Sequence, residues 1–422
     1  MQYISAFIGK QVAGDAFFLT SDADTFRQYE GPKINYSNNK IAEGEFWILP
    51  HSLLFEKNIR THPIECFDFN GQKAFFKTGG DLPFDIFAAS FFLLSRYEEY
   101  LPHSKDIYGR YAHENSVAFK EGFLNKPLIN YWLETFRKKL TEKFPSFKAS
   151  LLQFSFLPTY DIDEAFSYKY KSWWRTCGAV AKAMLKGEWS RISERRRVLK
   201  GELPDPFDSF AWMDKLHHKY KLQPRYFFLV PEKTGKYDRN ILPKEKGLRE
   251  LIKHHSLEYK TGIHPSWQSG NDPSLIKSEI HTLQRIIDKN VTCSRQHFIR
   301  LTLPHTFRHL IHAGIEEDFS MGYGSINGFR ASVATPFPWY DLDRDQETNL
   351  LLYPFCFMEA NSFFEQKFTP AQALEEMRHY NKEVKAVNGM LITLWHNTFL
   401  GTDELYSGWR EIYLQFIKET AG

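Results

Sequence analysis

The sequence has few cysteines and no run of apolar residues long enough to cross a membrane. Its 422 residues include four cysteines, far apart and without CxxC spacing, at Cys66, Cys177, Cys293 and Cys356. Such spacing suits neither a zinc knuckle nor a disulfide framework, and we expect a reduced, cytoplasmic setting. A membrane span needs roughly 18 apolar residues, and the first residues lack the basic and apolar regions of a secretory signal. We therefore expect no transmembrane segment.

An excess of charge of either sign is also missing. The 54 basic and 51 acidic side chains leave a formal net charge of +3, which does not favour nucleic acid as a partner. A Gly-x-Ser-x-Gly elbow is absent too, which argues against a covalent acyl-enzyme. What the sequence does have is 42% hydrophobic and 16% aromatic residues. These are enough for a large core and for rings that could stack on flat ligands such as sugars.

Two regions of the chain differ in pattern. Residues 1–150 indicate a smaller, accessory mixed α/β domain, whereas residues 151–422 alternate strands with helices. Strands are predicted at 151–159, 226–230, 257–263, 291–301, 350–358 and 390–395. Helices are predicted at 209–220, 243–255, 273–290, 305–313 and 370–387. This alternation predicts an α/β fold whose second region is a closed or nearly closed (β/α) barrel, with a doubly wound open sheet as the alternative.

A basic insertion interrupts the second region directly after its first strand. Residues 169–200 hold ten Lys or Arg, two acidic residues and three tryptophans, Trp173, Trp174 and Trp189. A solvated helical insertion is one interpretation, because charge runs usually mark an exposed face. The other is peripheral contact with an anionic membrane surface or with an anionic, lipid-linked substrate, since basic residues with Trp suit an interface.

Polar side chains collect where the predicted strands end. Asp161 and Asp163 end the first strand, and alternate side chains of an extended chain point the same way. Two carboxylates so close repel each other unless a cation or a shared proton lies between them. Later strands contribute three histidines and an arginine, at His264, Arg295, His297 and His396. Each residue alone could be an ordinary turn or cap residue, but the active sites of such barrels gather at the carboxyl ends of the strands.

The same segments resemble the motifs of the polysaccharide deacetylases, carbohydrate esterase family 4. The resemblance covers about residues 150–400 and rests on five segments in the order of the family: Thr159-Tyr160-Asp161-Ile162-Asp163, Gly262-Ile263-His264-Pro265-Ser266, Arg295-Gln296-His297-Phe298-Ile299-Arg300, Gly328-Phe329-Arg330 with Pro336-Phe337, and Trp395-His396-Asn397. Residues 1–150 look similar to the accessory N-terminal region of a Bacteroidetes-type branch of that superfamily.

The resemblance implies a role for each matching residue. The implied catalytic residues are Asp161 as base, His396 as acid, and Arg300 or Arg295 as the arginine that orients the base. The implied ligands of a divalent metal, expected to be zinc, are Asp163 and His264.

Two departures from the family pattern affect the expected metal. Ile162 separates two carboxylates that are adjacent in the family, so the base and the ligand could be exchanged. Gln268 stands where the family has its second metal histidine, which leaves the metal short of a ligand. His297 on the neighbouring strand could replace that histidine by geometry.

These expectations describe a metal-dependent hydrolase that removes an N-acetyl group from a sugar or glycan. The metal would polarise the amide carbonyl, a carboxylate would take a proton from water, and a histidine would protonate the leaving nitrogen. The residues expected to bind the substrate are Trp267, Asp318, Arg330, Trp339 and Asn397. The alternative is a deacetylase-like barrel that has lost its metal and binds a glycan or a protein partner.

Overall fold

The computed structural model of the chain describes residues 1–421, which form a mixed α/β fold, and the prediction of that class is confirmed. The strands are β1 (Ile34–Tyr36), β2 (Phe46–Ile48), β3 (Phe67–Phe69), β4 (Gln72–Ala74), β5 (Ser155–Ile162), β6 (Arg225–Leu229), β7 (Lys260–His264), β8 (Cys293–Ser294), β9 (Glu317–Asp318), β10 (Phe337–Asp341), β11 (Gln346–Leu352), β12 (Phe357–Met358) and β13 (Met390–His396).

The α-helices are α1 (Gln2–Ala13), α2 (Ala23–Gln28), α3 (Ile86–Leu94), α4 (Val117–Lys120), α5 (Leu128–Lys143), α6 (Trp173–Leu185), α7 (Trp189–Leu199), α8 (Phe210–Tyr220), α9 (Lys246–Glu258), α10 (Ser274–Ile287), α11 (His305–His312), α12 (Pro370–Ala386) and α13 (Trp409–Ala421). Short 3₁₀ segments lie at Ser52–Phe55, Tyr97–Tyr100, His113–Asn115, Trp267–Gly270, His297–Ile299 and Glu404–Tyr406, and a π-helical turn lies at Asn361–Glu365.

The centre of the fold is a nine-stranded sheet in the order β10-β11-β9-β8-β7-β6-β5-β13-β12. Neighbouring strands are parallel except for β10 and β11. Strand β5 lies between β6 and β13, and its Asp161 is level with Phe227 and His396. Because these strands are parallel, their carboxyl ends meet at one edge of the sheet.

The predicted closed barrel is not confirmed. From β5 to β9 each strand pairs with the next along the chain, which is the winding of a (β/α) barrel. Within residues 1–421, however, the sheet ends at β10 on one side and at β12 on the other, and no pairing joins these two edges. The sheet is therefore open.

The fourth predicted strand, 291–301, is much shorter than expected. Strand β8 covers only Cys293–Ser294, and the chain then turns through a 3₁₀ segment. There Phe298 has a φ of 58° and Ile299 a φ of 52°. Left-handed backbone cannot continue a strand, so the alternation of side chains on which the prediction depended stops before His297.

Residues 1–150 are packed against the rest of the chain. One continuous hydrophobic core includes residues of both regions. Across the boundary, the rings of Phe91 and Tyr340 lie 5.1 Å apart, and the Ile129 N–H donates to the Ser332 carbonyl at 3.0 Å. The small sheets β1–β2 and β3–β4 and helices α1, α3 and α5 give this region its mixed α/β character.

The basic insertion is a pair of helices, α6 and α7, that contact each other. They are joined by a turn in which Gly187 has a φ of 68°, a conformation that glycine adopts without strain. Neither these two helices nor any other helix in residues 1–421 is both long and apolar enough to cross a lipid bilayer.

Candidate metal centre

The sheet brings the two aspartates and the three histidines together at the carboxyl ends of its parallel strands. Asp161 lies near the end of β5, and Asp163 follows that strand directly. His264 is the last residue of β7 and His396 the last residue of β13. His297 follows β8 in the short 3₁₀ segment. The expected convergence at the carboxyl ends of the strands is thus present in the fold.

The carboxylate of Asp163 is the point on which the three imidazoles converge. The Nε2 atom of His264 lies 3.1 Å from Asp163 Oδ1. The Nε2 atoms of His297 and His396 lie 3.3 Å and 3.4 Å from Asp163 Oδ2. One acidic side chain therefore faces the same nitrogen of three different rings.

The opposite nitrogen of each imidazole is fixed by an acceptor. His264 Nδ1 lies 2.6 Å from the Arg295 carbonyl oxygen. His297 Nδ1 lies 3.1 Å from Asp238 Oδ1, and His396 Nδ1 lies 2.6 Å from Glu359 Oε1. A ring that donates its Nδ1–H in this way, when neutral, presents an unprotonated Nε2. Such outer hydrogen bonds commonly orient histidines that ligate metals.

The residues present fit a divalent cation. The ligand atoms of Asp163, His264 and His297 lie within 4.8 Å of one another. Asp163 Oδ1 is buried and has no hydrogen-bond partner, although His264 Nε2 lies close to it. If the imidazole is neutral, two electron-pair donors face each other there, and a cation between them would satisfy both. One carboxylate oxygen and two imidazole nitrogens form a donor set typical of zinc.

Without a cation, the same contacts are balanced by protons. Burial alone would favour the neutral forms, but the facing imidazoles lower the pKa of Asp163 well below its usual range. Burial likewise opposes the charged form of His297, yet the Asp163 and Asp238 carboxylates raise its pKa to about 9. The pKa of His396 is raised well above its usual value against the effect of burial, through Glu359 and Asp163. A metal cation would take the place of such protons.

Asp161 is paired with Arg295 beneath the histidines. Arg295 Nη1 donates to Asp161 Oδ1 at 2.9 Å, and both side chains are buried. The guanidinium also donates through Nε to the Phe319 carbonyl and lies 4.6 Å from the ring centre of Phe227. Asp161 is therefore held in one orientation, with its Oδ2 3.7 Å from His264 Nε2.

Arg300, the other arginine expected to orient the base, lies elsewhere. Its guanidinium donates to the Trp267 carbonyl and to Asn271 Oδ1, and it stacks on the Trp267 ring at 4.4 Å. The left-handed turn at Phe298 and Ile299 directs the chain away from the cluster before Arg300 is reached. Of the two candidates, only Arg295 touches Asp161.

Gln268, which replaces the expected second histidine, does not reach the cluster. Its Nε2 donates to Asp238 Oδ2 at 3.1 Å and to the Lys233 carbonyl at 3.0 Å. Since Asp238 also accepts from His297, Gln268 acts on the cluster through that carboxylate. The imidazole that lies beside Asp163 and His264 is instead that of His297.

Three of the residues expected to bind substrate are buried away from the cluster. Trp339 lies in the edge strand β10 and packs on Phe307. Arg330 forms an ion pair with Glu99 at 2.6 Å. Asp318 accepts from Ser294 Oγ at 2.7 Å, and burial raises its pKa to about 6. All three lie in the buried interior, and none of them lines the pocket described below.

The other two expected residues support the walls of the pocket. Asn397 is buried and donates to the carbonyls of Glu164 and Phe207. Trp267 is half-buried, and its ring lies behind Tyr237 with the ring centres 4.2 Å apart. Because Glu164, Phe207 and Tyr237 line the pocket, Asn397 and Trp267 hold wall residues in place without themselves lining it.

A pocket of about 410 Å³ opens above the cluster. Asp161, Asp163 and the three histidines form its floor. Its walls include Tyr108 and Arg110, which belong to the N-terminal region, and Gly324. A Cβ on Gly324 would lie 1.9 Å from Arg110 Nη1, so the close approach of the guanidinium requires a glycine. The N-terminal region thus takes part in the pocket.

Sequence reasoning missed several residues at this site, among them Tyr108, Arg110, Asp238 and Glu359. The histidines were identified because they lie at the carboxyl ends of predicted strands. Glu359 directly follows β12, so the same criterion would have identified it if the residue after that strand had been considered. Asp238 lies in the loop after β6 and carries no comparable signal. Tyr108 and Arg110 are contributed from outside the alternating region, and no local pattern links them to it.

Comparison with known families concerns mainly the N-terminal part. Residues 1–145 match the family described as a family of unknown function, DUF7033. This match gives no support to the Bacteroidetes-type branch expected for residues 1–150. No curated protein matches the chain.

Solved structures similar to the chain include polysaccharide deacetylases and an allantoinase. One is a polysaccharide deacetylase from Mycobacterium smegmatis, with 14% identity, a TM-score of 0.40, and coverage of 64% of this chain and 85% of that chain. Puue Allantoinase has 10% identity, a TM-score of 0.42, and coverage of 64% and 84%. A polysaccharide deacetylase from Bacillus cereus has 10% identity, a TM-score of 0.32, and coverage of 64% and 88%. At such values, the function has to be argued from the site itself.

Proposed function

We propose that the chain is a metal-dependent hydrolase that removes an N-acetyl group from a sugar or glycan. The observation that carries this proposal is the convergence of three anchored imidazoles on Asp163, beside an Asp161 held by Arg295. A purely structural cluster would not need its polar groups at the floor of an open pocket. Asp163, His264 and His297 are the proposed metal ligands.

In the proposed reaction, the metal ligands and the base are different residues of the site. An amide is a poor electrophile, and a divalent cation at this site would polarise its carbonyl and bring the pKa of water toward about 7. Asp161 is the proposed base, because Arg295 fixes one carboxylate oxygen and leaves the other facing the pocket floor. The proposed exchange of roles between Asp161 and Asp163 is disfavoured, since only Asp163 faces all three histidines.

His396 is the proposed acid. Its Nδ1 is fixed by Glu359 Oε1 at 2.6 Å, so the ring presents Nε2 to the pocket. A protonated Nε2 could deliver its proton to the leaving nitrogen, a transfer worth about 10²–10⁴-fold in rate. His396 is not one of the three residues whose ligand atoms all lie within 4.8 Å of one another, and this supports assigning it the proton rather than the metal.

The proposed substrate class rests on the motif resemblance and on the aromatic walls. The pocket is lined by rings of Tyr108, Tyr237, Phe298 and Tyr406. Rings of this kind suit the flat faces of sugars, and about 410 Å³ is the size of a small-ligand site. Zinc is the proposed metal, because three protein ligands of this type would leave a position open for substrate.

The competing proposal is a metal-free protein that binds a glycan or a protein partner. Its motivation in the sequence is Gln268 in place of histidine. His297 Nε2 lies 3.3 Å from Asp163 Oδ2 and could supply the ligand that Gln268 does not, and a cation would satisfy the buried Asp163 Oδ1 without requiring a protonated His264. The metal-dependent hydrolase is therefore the better supported of the two.

Acetate release from N-acetylglucosamine oligomers tests the proposal. The assay compares protein freshly purified, protein treated with a chelator, and chelated protein supplied with zinc or cobalt, with metal content measured in each sample. We expect about one metal per chain and activity that is lost with the chelator and restored by the metal. Asp163→Asn should lose both, while Asp343→Asn, which neutralises an exposed carboxylate, should lose neither. Metal-free protein without activity on several glycans would contradict the proposal and favour the binding protein.

A further inference from the structure

Helix α6 presents an apolar face to solvent. Trp173, Cys177 and Met184 are spaced by four and seven residues and are all exposed, as are Trp174, Ala181 and Leu185 on the adjoining stripe. Trp173 is 77% exposed and Leu185 is 90% exposed. Only Ala183 of this helix is buried. An amphipathic helix normally turns its large apolar side chains to the core, whereas α6 buries only an alanine and exposes both of its tryptophans.

The end of α6, the turn that follows it and helix α7 add positive charge beside that face. Lys182, Lys186, Arg191 and Arg196 are exposed, and none of them makes an ion pair within residues 1–421. The exposed Trp189 lies among them. The α6–α7 hairpin (residues 173–199) therefore combines exposed tryptophans and aliphatic side chains with unpaired cations.

The base of the hairpin borders the pocket. Arg175 Nη2 donates to the carbonyl of Arg239, and Lys171 forms an ion pair with Glu164 at 2.5 Å. Both Arg239 and Glu164 line the pocket. A surface that received the hairpin would thus lie close to the pocket rim.

We propose that the α6–α7 hairpin docks on the surface of an anionic lipid bilayer. Aliphatic and indole side chains gain by entering the boundary between headgroups and acyl chains, and unpaired Lys and Arg are attracted to anionic headgroups. A second copy of the chain is a poorer occupant, because a symmetric contact would bring the same cations together. Nucleic acid would leave Met184 and Leu185 without an apolar partner. This inference does not depend on the proposed hydrolase activity.

Vesicle co-sedimentation tests the inference with the whole chain. Vesicles of phosphatidylcholine alone are compared with vesicles that also contain phosphatidylglycerol, each at low and at high salt. We expect binding to the anionic vesicles at low salt, and weaker binding at high salt because the Debye length falls from about 10 Å at 0.1 M to about 3 Å at 1 M. Recovery of the protein in the supernatant under all four conditions would overturn the inference.

Two hairpin variants and two matched controls locate the contact. Trp174→Ser with Leu185→Ser should weaken partitioning by about tenfold, and Arg191→Glu with Arg196→Glu by at least about 25-fold, since each lost charge counts for about fivefold. Phe18→Ser with Leu257→Ser and Lys253→Glu with Lys277→Glu alter equally exposed residues elsewhere and should bind like the wild type.

Circular dichroism and the thermal midpoint establish that each variant is folded, and the comparison of lipids and salts on the wild type stands without any variant. Equal binding by the hairpin variants and the wild type would contradict the inference. So would a dimer, seen by sedimentation equilibrium, that the Trp174 and Leu185 substitutions dissociate while no form of the protein binds vesicles. That result would show that the exposed apolar face of α6 forms a contact between two copies of the chain.

Discussion

The three imidazoles around Asp163 are alike in their contacts and are expected to differ in their roles. His264→Ala removes a proposed ligand and should lower metal content and activity together. His396→Ala removes the proposed proton donor and should keep the metal while lowering kcat by about 10²–10⁴-fold. Metal analysis and steady-state kinetics on the two variants distinguish these effects. If His396→Ala loses metal as readily as His264→Ala, His396 is a ligand and the proposed acid is wrong.

Arg295 and Arg300 should differ sharply in their effect on stability. Arg295→Leu leaves the buried carboxylate of Asp161 without its partner and should lower the free energy of unfolding by about 3–5 kcal/mol. Arg300→Leu removes a guanidinium that hydrogen-bonds at the surface and should cost no more than about 1 kcal/mol. Urea unfolding of both variants measures the difference. Similar losses would show that Arg295 is not the arginine that fixes Asp161.

At the residue scale, the sequence predicted which side chains meet but not all of their partners. The criterion that a residue lies at the carboxyl end of a strand works for Asp163, His264 and His396, because parallel strands place these ends side by side. It could not choose between Arg295 and Arg300, since the left-handed backbone at Phe298 and Ile299 breaks the alternation between them. Roles assigned to these residues remain predictions until metal and activity are measured.

At the scale of single elements, α10 carries an acid whose ionisation opposes folding. Glu279 is buried and its Oε2 accepts from the Ser266 N–H at 2.9 Å. Burial raises the pKa of Glu279 from 4.5 to about 7. A raised pKa gives stability that is complete below pH 4.5 and is lost as the pH rises to about 7. The shift corresponds to about 3 kcal/mol over this window.

Glu279→Gln should remove that pH dependence, because glutamine keeps the acceptor for Ser266 and cannot ionise. We expect the free energy of unfolding of the wild type to fall relative to the variant between pH 4.5 and 7, measured by urea unfolding at several pH values. Glu250→Gln, an exposed change on α9, should follow the wild-type curve. Parallel curves for the wild type and Glu279→Gln would show that the carboxyl is ionised in the fold.

The bounds of strands and helices were predicted best where turn or cap residues mark both ends of the hydrophobic pattern. Strand β13 and helix α12 lie close to their predicted bounds, since each is bounded by turn or cap residues. The strand predicted at 350–358 is instead divided into β11 and β12, and α13 was not predicted. A continuous apolar run cannot by itself show where a buried strand is interrupted.

For the whole molecule, the buried contact between Glu99 and two arginines joins the N-terminal region to the rest. Glu99 accepts from Arg96 and from Arg330, and although burial opposes its charge, the two guanidiniums lower the pKa of Glu99 to about 2. Together with the shared core, this contact predicts that residues 1–421 unfold in one cooperative transition.

Glu99→Gln leaves two guanidiniums buried with less compensating charge. It should lower the free energy of unfolding by about 3–5 kcal/mol without dividing the transition. Glu121→Gln, which removes a partly exposed ion pair with Lys73, should cost no more than about 1 kcal/mol. Calorimetry measures both values. Two separate transitions in the wild type or in Glu99→Gln would show that the N-terminal region is an independent folding unit.

Strand β5 receives its second neighbour very late in the chain. It pairs with β6 early, but its other partner, β13, is formed by residues 390–396. During synthesis on the ribosome, one edge of β5, the strand that carries Asp161, therefore stays without a partner until residues 390–396 have emerged. Parallel pairing over such a separation is slow, and an unpaired edge is a template for strands of other chains. We therefore expect the nascent chain to be more prone to self-association before β13 pairs than after the fold is complete.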